Sequence, residues 1–236
     1  MLQTTRAVVL RTFKHGDNFV ILKAYTECFG VRSYIVRISK RGSAKPAHLQ
    51  PLDRLEIVVS ESGERELHTV REVRTEKAYV GIAGDPARGL LLLFAQEVFY
   101  RTLKEESPDP ELFDLVQRTL EEIDTGDNLG QLPLLLLLRL ARHLGFLPEL
   151  PGPGEDRFDL REGHFFNGVP EHGFCMNVNS SLAFAELLRA ESTEVDMHLP
   201  SDVRIGLLEQ LLDYFRLHVE GFGQLRSPAI LHALLH

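Results

Sequence analysis

Residues Val8 to Lys45 read VVLRTFKHGDNFVILKAYTECFGVRSYIVRISKRGSAK. Val31 to Ser39 alternates cleanly, with Arg32, Tyr34, Val36 and Ile38 on one side and Val31, Ser33, Ile35 and Arg37 on the other. That is the period of a half-buried strand. Upstream, Thr4–Phe13 is rich in β-branched residues and Asn18–Thr26 carries Phe19, Val20, Ile21, Leu22 and Tyr25. Lys14-His15-Gly16-Asp17 and Cys28-Phe29-Gly30 supply turn chemistry between these strands. Downstream, Lys40–Gln50 reads as a basic loop. Leu52–Ser60 and Arg65–Thr75 then form a hairpin around Glu61-Ser62-Gly63-Glu64. Five closely spaced strands with no covering helix predict a small closed barrel, because closure removes the exposed edges. An OB-fold and an SH3-like barrel both satisfy this pattern.

Beyond Gly81–Asp85 the period changes to that of helices. Asp85-Pro86 is a helix start, and Leu90, Leu91, Phe94, Val98 and Leu103 mark a helix over about 86–105. Ser107-Pro108-Asp109-Pro110 breaks it. Leu112, Leu115, Val116, Leu120 and Ile123 mark a second helix, closed near Gly126. Asn128–Gly145 is apolar around most of its circumference and reads as the central helix of a bundle. Residues 146–179 form a loop-rich insert, with Phe158–Phe166 as a short hairpin. Helices resume at Ser180–Ala190 and Ser201–Glu220, and Ser227-Pro228 opens a last one to His236. The reading is an α+β chain of two domains: a barrel over 1–80 and an all-helical domain over 81–236.

Charge is divided unevenly. Residues 1–50 hold nine Lys/Arg against Asp17 and Glu27, a net of +7, whereas the whole chain of 236 residues is at −8. The remaining 186 residues therefore carry −15. A basic pole on an acidic body presents a local field that the pI of 5.7 hides. Arg11, Lys14, Lys23, Arg32, Arg37, Lys40, Arg41 and Lys45 are the residues that would track a phosphate backbone. Tyr25, Phe29 and Tyr34 are the aromatic candidates to stack on bases, with Phe29 favoured because Tyr34 is in phase with core residues. The bland alternative is a solvated surface over core aromatics.

Other function classes find little support. The longest apolar run, Leu132–Leu138, is far short of the ~20 residues a membrane span needs. No charged-then-apolar leader precedes the first strand, and the two cysteines, Cys28 and Cys175, make no disulfide framework. A cytoplasmic location with reduced thiols is expected. There is no phosphate-binding glycine loop, Gly-x-Ser-x-Gly or His-Glu-x-x-His, so no catalytic role and no cofactor is expected. His164, His172 and Cys175 fall within twelve residues, beside Asp159 and Glu162. Their spacing fits no strong ligand pattern, so no metal is expected. Arg139, Arg142 and His143 end the central helix and suit an acidic peptide tail, although cations there also offset the helix dipole.

Several motifs together resemble the RecO family of bacterial recombination mediators. They are Val9-Leu10-Arg11-Thr12, Gly16-Asp17, Tyr25-Thr26-Glu27, Gly30, Ser33-Tyr34, Lys40 and Gln50-Pro51-Leu52. His143-Leu144-Gly145-Phe146 continues the likeness, as do Tyr214-Phe215-Arg216-Leu217-His218, Phe222, Leu225-Arg226-Ser227 and Leu231. The resemblance implies an OB-fold followed by a helical domain. It also implies binding of single- and double-stranded DNA, annealing of complementary strands, and loading of RecA together with RecR and single-strand binding protein. Many members carry a four-cysteine zinc module in the insert, but this chain has only Cys175 there. Packing by Phe158, Phe165, Phe166 and Phe174 is the expected substitute for the metal. The rival readings are a metal-dependent enzyme built on residues 146–179 and an RNA-binding OB protein.

Overall fold

A computed structural model describes residues 2–38, 49–60, 67–193 and 199–229. Five strands close into a barrel: β1 (Leu2–Lys14), β2 (Phe19–Thr26), β3 (Gly30–Arg37), β4 (Arg54–Ser60) and β5 (Leu67–Lys77). The order around the barrel is β1-β2-β3-β5-β4, and β1 also pairs with β4. Its one parallel seam, Ser33↔Leu67 to Ile35↔Thr69, joins β3 to β5. This is the five-stranded Greek-key closure of an OB-fold, which separates it from the SH3-like alternative.

A bulge in β1 makes closure possible. Leu2–Val8 pairs with β4 and Ala7–Lys14 with β2, and the register slips between Val9 and Arg11. The extra residue, Leu10, bends the strand so that one element serves two neighbours. Ala7, Val9, Leu22, Ala24, Tyr34, Val36, Leu55, Ile57 and Val59 fill the interior. Leu52, expected to open β4, instead sits in the preceding turn at φ +66°. Its buried side chain and its N–H bond to the Val9 carbonyl, 2.7 Å, hold that conformation.

Helices follow at α1 (Pro86–Thr102), α2 (Pro110–Thr125), α3 (Leu132–His143), α4 (Val178–Thr193) and α5 (Ser201–His218). Between α3 and α4 lies a two-stranded hairpin, β6 (Arg157–Asp159) and β7 (His164–Phe166). The 61–64 turn and the helix expected after Pro228 fall largely outside the described residues. By contacts, the chain forms two compact units, 1–86 with 96–125 and 87–95 with 126–236.

In the first unit, α2 lies against the barrel. Phe113 meets Tyr25 at 5.7 Å between ring centroids, and the Arg6 guanidinium sits 5.2 Å from the Phe113 ring. The α1–α2 connection seats on Gly30, where the Val31 N–H donates to the Glu105 carbonyl at 2.9 Å. A Cβ on Gly30 would lie 2.4 Å from the Ser107 carbonyl oxygen, and its φ of +66° already favours glycine. In the second unit, α3 is buried around most of its circumference, as its sequence predicts. Phe158 centres an aromatic cluster with Phe165, Phe184 and Tyr214, at 4.9, 4.9 and 5.5 Å.

Candidate nucleic-acid interface

The bulge also decides which way the basic residues point. Uninterrupted alternation would put Arg11 on the same side as core Val9. After the slip, Arg11 pairs with Lys23, while Thr12 pairs with buried Leu22. Arg11 therefore joins the outer face. Successive cross-strand rows on that face are Arg11–Lys23–Ser33, Phe13–Ile21–Ile35 and Phe19–Arg37. Arg11, Phe13, Phe19 and Arg37 are exposed, and Lys23, Ile21 and Ile35 are half-buried. Cations and aromatic rings thus interleave over three strands.

Like charges directly opposite in an antiparallel pair repel. Arg11 and Lys23 hold such positions and share one ring. The Arg11 guanidinium is 5.4 Å and the Lys23 ammonium 5.3 Å from the Tyr100 ring centroid. Arg11 also lies 4.8 Å from the Phe13 ring. Tyr100, near the end of α1, did not stand out in the sequence. By the helical period it lies on the other side of α1 from buried Leu91, Phe94 and Val98, and nothing local ties it to strands more than seventy residues earlier.

Ion pairing sorts the cations of the barrel's first three strands. Arg6 is bidentate to Glu27, at 2.7 and 2.9 Å, and also approaches Glu76 at 3.8 Å and Asp114 at 4.0 Å. Its hydrogen bonds hold the Glu27 carboxyl below the usual range. Arg32 lies on the interior phase at the barrel's end and pairs with Glu106 at 3.2 Å. Among the described residues, Arg11, Lys14, Lys23 and Arg37 have no carboxylate partner. Lys14 ends β1, exposed but on the interior phase opposite Val20. Lys40, Arg41 and Lys45 lie outside the described residues.

The aromatic candidates are placed differently from the reading by sequence. Tyr25 is packed on Phe113 and donates to the Asp109 carbonyl at 3.2 Å. Tyr34 is wholly buried in the barrel, as its phase suggested. Neither can stack on a base. Phe29 packs, half-buried, against the barrel core. Its turn folds inward because the Thr26 hydroxyl accepts the Phe29 N–H at 3.2 Å and donates to the Gly30 carbonyl at 2.8 Å.

At the insert, Asp159, His172 and Cys175 bring ligand atoms within 4.8 Å of one another, so together they could hold an ion. His164 and Glu162 stay outside this group, exposed to solvent. The set does not fit the family's four-thiolate zinc, having one thiol where four are needed. Its donors are also engaged. Asp159 Oδ1 accepts the N–H groups of Arg161 and Glu162, at 2.8 and 3.0 Å. Its Oδ2 lies 3.3 Å from His172 Nε2, and His172 Nδ1 accepts the Phe174 N–H at 3.3 Å. Burial and Asp159 push the Cys175 thiol up, which disfavours the thiolate a metal requires. Phe158 and Phe165 pack the insert as expected, but Phe174 is exposed beneath the Arg161 guanidinium, 5.0 Å away.

At the end of α3, Arg142 grips Glu191 of α4 with both terminal nitrogens, one contact at 2.8 Å. Arg139 and His143 are half-buried and also engaged. Just beyond, Phe146 meets Tyr214, Phe215 and His218 at 5.6, 5.1 and 5.6 Å. The Tyr214 hydroxyl donates to the Phe146 carbonyl at 2.6 Å, and burial pushes its pKa up to about 12. The two helical motifs singled out in the sequence thus meet in space.

Comparison with known proteins gives the family. The family profile described as Recombination protein O N terminal matches residues 1–79, and that described as Recombination protein O C terminal matches 83–228. This chain belongs to the RecO family. Its relatives include the DNA repair protein RecO of Azobacteroides pseudotrichonymphae, 27% identical over 239 residues and 99% of each chain. Those of Porphyromonas gingivalis and Bacteroides fragilis are 29% identical over 244 residues and 28% over 240, again over 99% of each chain. The OB-fold barrel followed by helices is the layout these two profiles divide. Among the described residues, no helix is long and apolar enough to cross a membrane.

Proposed function

We infer that this RecO-family chain acts in DNA repair and recombination as a cytoplasmic DNA-binding mediator, with no catalytic step of its own. The barrel, residues 1–80, holds single- and double-stranded DNA. The helical domain, 81–236, receives protein partners, among them RecR and the acidic tail of single-strand binding protein, on the way to RecA loading. One observation carries the DNA reading: Arg11, Lys23 and Arg37 share an outer face with exposed rings and lack carboxylate partners among the described residues. Cations left unpaired on one face are available to phosphates. Neutralising phosphates lowers repulsion between two strands, and weak base preference lets them slide into register, so annealing follows from the same contacts. For the acidic tail, Arg142 is the exposed cation at the end of α3, and Glu191 competes for it.

Salt titration with a labelled single strand tests this reading. Each phosphate contact on a single strand contributes about 0.7 to the slope of log affinity against log salt. Four contacts, from Arg11, Lys14, Lys23 and Arg37, give roughly a 50-fold loss between 50 and 200 mM salt. Flat binding over that range removes the reading. Preference for an RNA strand of equal length over DNA would transfer the chain to the RNA-binding class. Changing Lys40, Arg41 and Lys45 together to Ala tests the loop: unchanged affinity and slope would take it out of the DNA contact.

A further inference from the structure

We propose that Tyr100 is a base-stacking platform. Resting on the DNA-binding reading above, this gives the barrel face a preference for unpaired bases. The position of the ring is the argument. Tyr100 comes from α1, yet it stands among the cations of β1 and β2. The Lys23 ammonium and the Arg11 guanidinium both lie within 5.4 Å of its centroid, and Arg11 continues to the Phe13 ring at 4.8 Å. Phe13 and Phe19 lie on the same outer face, diagonal neighbours across β1 and β2, and Arg37 stands opposite Phe19. Rings and cations thus alternate from the helix across the sheet. Single-strand binders pair a cationic track for phosphates with π-faces for successive bases.

The other tyrosines are occupied. Tyr25, Tyr34 and Tyr214 are buried. Tyr79 donates to the Leu52 carbonyl at 2.5 Å and lies beneath the Arg54 guanidinium, 4.6 Å away. Tyr100 is partly exposed: the Arg11 and Lys23 cations lie beside its ring, and the contact from Arg11 Nη1 to its hydroxyl is long, 3.5 Å. A base stacking on this partly open ring would bring its own phosphates to the two cations beside it, Arg11 and Lys23. A duplex hides its base faces, so stacking on Tyr100 adds affinity for single strands alone.

The composition supplies a probe, because the chain has no tryptophan and five tyrosines. Tyrosine emission of the full-length protein is followed while oligothymidine is added, with anisotropy of a labelled strand and of a matched duplex read in parallel. Emission is expected to fall saturably along the single-strand binding curve. Tyr100→Phe should abolish that quench while keeping single-strand affinity within about two-fold, since the ring remains. Tyr100→Leu, which keeps apolar packing without a π-face, should lose roughly 5- to 150-fold in single-strand affinity and far less in duplex affinity. Circular dichroism confirms that both variants fold. A quench that persists in Tyr100→Phe, or single-strand affinity preserved in Tyr100→Leu, overturns the stacking assignment but leaves DNA binding standing. Absence of binding to either DNA by the wild-type chain overturns both.

Discussion

Asp124 is a polar side chain whose removal should strongly destabilise the barrel-bearing unit. It sits at the end of α2, almost wholly buried, and accepts three backbone N–H bonds through Oδ1: from Val80 at 3.0 Å, Gly81 at 2.8 Å and Ile82 at 3.2 Å. Those amides open the 3₁₀ turn Ile82–Gly84, where a negative charge is favoured. Its Oδ2 is 4.0 Å from Nη2 of buried Arg54, which also bonds Glu121 at 2.9 Å. Burial alone would raise the carboxyl's pKa, but the three amides and Arg54 outweigh it and hold the group below its ordinary range. Asp124→Asn can keep the Oδ1 bonds without the charge and should cost about 1–2 kcal/mol, neutral hydrogen bonds being about half as strong. Asp124→Ala frees all three amides and strips a partner from a buried guanidinium, costing about 3–5 kcal/mol. For a chain of this size that lowers Tm by roughly 6–20 °C. Because the folded pKa is depressed, the charge contributes fully above the unfolded value of 3.8 and is lost as pH falls through the folded one. The gap between wild type and Asp124→Asn should therefore close in acid. Thermal unfolding from pH 7 to pH 3, with amide exchange at residues 80–82, measures this. Equal, small losses for Asn and Ala, or a gap independent of pH, would refute the clamp.

Gly30→Ala should cost roughly 2–5 kcal/mol, since it combines a strained positive φ with a Cβ pressed on two carbonyl oxygens; a urea midpoint matching wild type would contradict it. Glu191→Gln should release Arg142 and tighten binding of an acidic tail peptide from single-strand binding protein by roughly 2- to 10-fold, as calorimetry would register; unchanged affinity removes α3 from that contact. Chelation with EDTA should leave Tm unchanged, because hydrogen bonds and the Phe158 cluster close the insert. A drop on chelation, with stoichiometric metal by elemental analysis, would give Asp159, His172 and Cys175 a metal and revive the enzyme reading.

Much of the architecture is visible in residue order because its signals are local. The strand alternation of Val31–Arg37 and the apolar circumference of α3 each report their own burial. Closure and orientation are not local. The β3–β5 seam joins residues more than thirty apart, and no turn announces it. The slip at Leu10 turns Arg11 outward through pairing energies on two different neighbours, which a single strand cannot display. For the same reason, residue type alone gave Arg32 and Arg11 equal standing, although Glu106 neutralises the first. Phe29 reads as an exposed turn residue until the Thr26 hydroxyl folds the turn toward the core. Phe13 and Phe19 looked like ordinary strand apolars. Their exposure emerges only once the barrel assigns each face.

The central claim is that the outer β1–β2–β3 face carries DNA. It is tested most directly by the salt dependence of single-strand binding in the wild type and in a variant with Arg11, Lys23 and Arg37 all changed to Ala. Loss of three phosphate contacts should reduce the slope of log affinity against log salt by about 2, with a parallel loss of affinity at low salt. A variant that folds and binds with the wild-type slope and affinity would show that the strand passes elsewhere.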